Sequence, residues 1–106
     1  MYDHNQFDLP PSFVALYLEP GRTRPSASRA EISRRYDLCE DLAHRLFEYA
    51  RAQFHDLGIT EEDVLRRCHL GLCAEPRSVD AREANWVVHR LAELQGWGSP
   101  DWLQPV

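Results

Sequence analysis

The chain has 106 residues, 43% of them hydrophobic, enough for one modest core and too few for two independent ones. Its formal net charge of −5 supplies no overall positive field for collecting nucleic acid, and its 12 Lys-plus-Arg cations are all arginine. No apolar run approaches the roughly 18 to 20 residues of a membrane span, and the N-terminus lacks the basic start and apolar stretch of a secretory signal, so a soluble, cytoplasmic protein is expected.

Residues 1–27 read as an arm, because Pro10, Pro11, Pro20, Gly21 and Pro25 cut them into short pieces around the apolar run Phe13 to Leu18. Read with period two, the run is a strand with no edge to pair with inside the chain. Read with period 3.6, Ser12 caps a two-turn helix that shares Phe13, Leu16 and Tyr17 on one face and stops near Pro20; this is the favoured alternative. The arm either covers the domain's own core, the plainer expectation, or docks on another chain.

A helical domain then occupies residues 28–97. Three times a capping pattern opens a segment and a glycine followed by an apolar residue closes it. Ser28-x-x-Glu31 leads to Gly58-Ile59, Thr60-x-x-Asp63 to Gly71-Leu72, and Asp80-x-x-Glu83 to Gly96-Trp97. The fold class is therefore all-α, a three-helix assembly with one long helix over about 28–57 and two shorter ones over about 60–70 and 80–95. From Ser28 to Leu57 there is no Pro or Gly, which gives roughly 45 Å of helix at about 1.5 Å per residue. Its apolar positions, Ile32 and Tyr36 through Tyr49, Phe54 and Leu57, cover close to half the circumference, so it packs against more than one neighbour. The two short helices laid end to end span that length, and the breadth of the apolar face motivates a homodimer. In the third helix Ala84, Val87, Val88, Leu91 and Leu94 form the buried stripe and Trp97 locks the end. Residues 98–106 read as an irregular tail.

Ligand-like groups are few. Glu40, His44 and Glu48 lie at helical spacing on the polar face of the long helix, but one face rarely completes a metal shell and Arg51 continues the line, so a solvated face is expected. Cys68, His69 and Cys73 lack a second ligand pair. His69 and Cys73 meet only if the helix runs through Gly71, and three cysteines without a framework read as buried thiols. No phosphate loop and no Gly-x-Ser-x-Gly elbow occurs. Trp86 stands off the stripe of the third helix beside Arg82 and Arg90. Either the arm or the tail covers it, or it is an interface hot spot.

The stretches FDLPPSFVALYLEPGR, RRYDLCEDLA, GITEEDVLRRC and ANWVVHRLAELQGW, spanning residues 7–97, resemble a family of small bacterial proteins of about this length that are described as ATPases with chaperone activity. The resemblance implies a chaperone-associated role and assigns no site residue. The residues themselves point to a non-enzymatic protein-interaction or adaptor module with protein partners and no cofactor or metal. Its expected contacts are Phe13, Leu16 and Tyr17 of the arm, Arg22 and Arg24 of the loop Gly21 to Pro25, and Arg82, Trp86 and Arg90. The alternatives are a nucleotide-dependent chaperone-type ATPase and a helical DNA-binding regulator. The latter is disfavoured by a connection, Gly71 to Val79, longer than a helix-turn-helix allows.

Overall fold

A computed structural model describes residues 9–104, and every regular element in them is helical. The all-α expectation therefore holds; residues 1–8 of the arm and 105–106 of the tail lie outside the described residues. The first element, α1 (Pro11–Val14), passes directly into a single 3-10 turn, Ala15–Tyr17. Ser12 does not cap it. Pro10 stands at the N-cap, where its carbonyl accepts from Phe13 and Val14 at 3.0 and 3.1 Å, and Pro11 takes the first helical position, where a missing N–H costs nothing. That places Ser12 inside the helix and frees its hydroxyl for another partner.

The long helix α2 (Arg29–Leu57) opens with a complete capping box: Glu31 N–H donates to Ser28 Oγ at 3.1 Å and Ser28 N–H donates to Glu31 Oε1 at 3.3 Å. It ends at Gly58, whose φ of 64° lies in the left-handed region that glycine enters without steric cost. Twenty-nine residues at about 1.5 Å each match the 44 Å long axis of the molecule. After Gly58 the chain turns back into α3 (Glu61–Cys73), where Thr60 Oγ1 accepts from Asp63 N–H at 3.1 Å. The expected stop at Gly71 does not occur. Gly71 has no positive φ, the helix runs to Cys73, and Ala74 ends it in an extended conformation. Continuing the helix keeps Leu72 packed against both halves of the core, which a left-handed turn at Gly71 would pull apart.

The last helix, α4 (Ala81–Gln95), also carries a complete capping box, Asp80 with Glu83. It closes on Gly96 at φ 77°, with Trp97 N–H reaching back to the Ala92 carbonyl at 2.8 Å and the Trp97 ring 5.4 Å from that of Phe54. Cross-links between α2 and α4 ascend together along both helices: Arg35 to Glu83, Glu40 to Arg90, and the Phe47 carbonyl to Gln95. The two helices therefore run parallel and in direct contact, with α3 running back antiparallel against both.

The short helices do not lie end to end along α2. They pack side by side, Val64, Leu65 and Cys68 of α3 against Val88, Leu91 and Ala92 of α4 and Ala50 of α2. Six consecutive residues of α4, Glu83 to Val88, are buried, which no single stripe explains. Although only half as long as α2, α4 is the central helix, with α2, α3, the arm and the tail all packed against it. Each Val or Leu so buried contributes about 1.5–3 kcal/mol. The tail folds back rather than trailing away, with Pro100 and Leu103 buried.

Candidate functional site

The arm supplies what α4 alone lacks around Trp86. Phe13 meets the indole edge-on at 5.0 Å between ring centroids, Tyr36 of α2 closes a second side at 5.8 Å, and the indole N–H donates to Ser12 Oγ at 3.0 Å. Trp86 is 4% exposed and Phe13 fully buried, so both are packing residues between arm and domain. Leu16 is half-buried against the same cluster. Arg22, Arg24 and Arg82 are exposed.

Tyr17 belongs to a polar knot beneath the arm. Its hydroxyl donates to Glu83 Oε2 at 2.7 Å, and Arg35 reaches the same carboxylate through Nε at 2.8 Å and Nη2 at 2.7 Å. Burial raises the Glu83 carboxyl, but the Arg35 guanidinium, the Asp80 N–H and the Tyr17 hydroxyl together hold it below the usual carboxylate range. The partners move the other way: burial and then Glu83 raise the Tyr17 phenol, and the bond to Glu83 raises the Arg35 guanidinium. One side chain thus caps α4, joins α4 to α2 and holds the arm.

Arg90 is equally committed. Its Nε and Nη2 grip the Glu40 carboxylate at 2.9 Å each, and Nη1 reaches Glu93 at 3.2 Å. The bond to Arg90 lowers the Glu40 carboxyl, to which His44 adds from 3.1 Å. Among the described residues no group of three or more His, Cys, Asp or Glu could hold a metal ion. Beside Arg90, a cavity of about 390 Å³ lies between arm, α2, α4 and tail, lined by Pro10, Ser12, Tyr36, Trp86, His89, Arg90, Glu93 and Ser99. His89 Nε2 faces the Gln104 carbonyl, which can only accept, so this nitrogen carries a proton, and Nδ1 is hydrogen-bonded to the Ser99 hydroxyl at 2.8 Å. Asn85 Nδ2 donates to that same carbonyl at 2.8 Å, so Ser99, His89 and Asn85 together close the tail onto α4.

All three cysteines are free thiols. Burial pushes the Cys39 thiol up to about 12, with Glu83 adding to the shift, and burial pushes Cys68 up to about 11. Because α3 continues through Gly71, Cys73 Sγ comes within 3.8 Å of His69 Nε2. Burial and then Arg66 lower the His69 imidazole. The His69 ring also lies tilted beside that of Trp102 at 5.7 Å, and the exposed Arg66 guanidinium lies 4.6 Å from the Trp102 ring centroid.

The opposite face of the α2–α3 hairpin is different in kind. Leu46 and Tyr49 of α2 and Arg67, Cys68, Gly71 and Leu72 of α3 line a largely apolar groove of about 280 Å³. Gly71 opens it, since nothing lies within 4 Å of where a Cβ would stand. Among the described residues, the large apolar side chains left exposed are Tyr49 (48%) and Leu57 (51%) on α2 and Leu70 (63%) on α3. Arg67 is exposed at the rim and, among the described residues, has neither a carboxylate nor an aromatic ring for a partner, unlike Arg45, Arg51 and Arg66 nearby in the chain.

Compared with protein-family models, curated proteins and solved structures, the chain matches none. Among the described residues no helix is long and apolar enough to cross a membrane. Sequence reasoning placed Tyr49 and Leu57 in the buried half of the long helix and ended the next helix at Gly71, and so missed this groove. The available signal was the excess width of the apolar face of α2 over what two short helices cover.

Proposed function

We propose that this chain is a non-enzymatic interaction module, a small helical body that binds another protein through the groove between α2 and α3. One observation carries the reading: half-exposed Tyr49 of α2 lines an apolar trough together with Leu46 and with Leu72 of α3, with an unpaired arginine at its rim. An aromatic anchor, an aliphatic neighbour and an arginine around a preformed cleft make up the composition of an interface hot spot. The arm-side residues Phe13, Tyr17, Trp86 and Arg90 are engaged within the chain, which leaves Arg22, Arg24 and Arg82 as secondary contacts. A chaperone-associated adaptor is the form of this activity that the family resemblance implies.

The test is affinity capture from the source cell, followed by reconstitution with the purified partner. A Tyr49→Glu, Gly71→Glu double variant, both positions lining the groove and checked for unchanged helicity, serves as control beside Arg82→Ala. The expected outcome is a partner retained by wild type and by Arg82→Ala and lost from the double variant. Equal capture by the double variant, or ATP turnover by the purified chain that one polar substitution abolishes, refutes the proposal.

A further inference from the structure

The groove between α2 and α3 also carries information about the chemistry of what fills it, and the inference rests on the interaction reading above. We propose that its occupant is an amphipathic helix of a partner protein that sets a carboxylate beside its apolar anchors, the carboxylate meeting Arg67. At about 280 Å³ the trough has room for one or two anchor side chains. Its walls are two adjoining helices, so a third helix laid along them continues the packing pattern of the body, with anchors at i and i+3 or i+4 entering over Gly71. Arg67 is the one charged group in the lining, and it is unpaired among the described residues.

The net charge of −5 opposes an acidic partner at long range. At physiological salt, charges are screened beyond about 8 Å, so the guanidinium at the rim governs the bound state and the net charge only slows the encounter. A carboxylate docked there is partly desolvated and takes Arg67 as a two-pronged donor, a geometry lysine could not match.

The experiment presents phage-displayed random peptides of roughly 14 residues, about four helical turns, to the immobilised full chain and measures selected binders by fluorescence polarisation. Expected are sequences that join Leu, Ile or Phe at helical spacing with Asp or Glu. Arg67→Glu weakens them by about tenfold and, used as bait, selects Lys or Arg in place of the acid. Gly71→Leu, which fills the trough where open space receives it, abolishes binding while thermal melting shows the fold intact. Binders without an acidic residue, or indifferent to Arg67→Glu, overturn the proposed partner chemistry and leave the interaction reading standing. Failure to select any peptide, or binders indifferent to both Gly71→Leu and Tyr49→Ala, overturns both. Light scattering that shows a dimer dissociated by Gly71→Leu gives the groove to a second copy of the chain and likewise overturns the proposal.

Discussion

Replacing Phe13 with alanine asks whether the arm is part of the folded body. The ring is fully buried, and its centroid stands 5.0, 5.5 and 5.8 Å from those of Trp86, Tyr36 and Tyr17. Truncation of a buried Phe costs about 3–5 kcal/mol, and three ring neighbours place this site in the upper part of that range. For a chain of 106 residues, whose whole stability is about 5–15 kcal/mol, the loss is about a quarter or more. At about 4–8 °C per kcal/mol, the melting temperature falls by roughly 15–40 °C. Urea titration read by far-ultraviolet circular dichroism and by tryptophan fluorescence measures it. A loss below about 1 kcal/mol, or a lowered m-value with an unchanged midpoint, means that the arm leaves the body without unfolding it and refutes the argument.

Gly71→Ala stabilises the chain by about 0.5–1 kcal/mol, because a helical glycine with open space gains propensity at no steric cost; a lowered urea midpoint contradicts it. Tyr17→Phe removes a bond to a charged acceptor and costs about 1–2 kcal/mol, and a double-mutant cycle with Glu83→Gln shows non-additive coupling. Acid lowers stability in two stages. His69 has a folded pKa below its unfolded value of about 6.5, so the unfolded chain takes the proton first and stability falls as pH drops below that point, a stage absent in His69→Gln. Glu40 and Glu83 also have lowered folded pKa values; their contribution is complete above about pH 4.3 and is lost as pH falls through the folded values. With a thiol reagent at pH 8, Cys73 reacts fast, whereas buried Cys39 and Cys68, with thiols pushed up to about 12 and 11, react only on unfolding.

What could be read from the residues was local. The boxes at Ser28 and Asp80 and the left-handed glycines at 58 and 96 are decided within one turn of chain, and there sequence and structure agree. Gly71 fails the same rule because the pull on it is not local: Leu72 is held by both halves of the core. Trp86 was visible as a residue off its stripe, while its partners Ser12 and Phe13 lie more than seventy positions away and no periodicity points to them. The role of the tail was hidden for a further reason. Asn85 and His89 bind a backbone carbonyl at Gln104, and a carbonyl is the same at every position of a sequence.

The bonds from Arg35 to Glu83, from Glu40 to Arg90 and from Gln95 to the Phe47 carbonyl act as detents along two otherwise smooth rods. Sliding α4 by one turn, about 5.4 Å, strands the Glu83 carboxylate in the interior without its guanidinium, a penalty of several kcal/mol. Axial slippage is thereby closed as a route for transmitting a signal through this molecule. An arriving partner therefore meets a rigid spine whose arm and tail lift only by exposing Phe13 or Leu103.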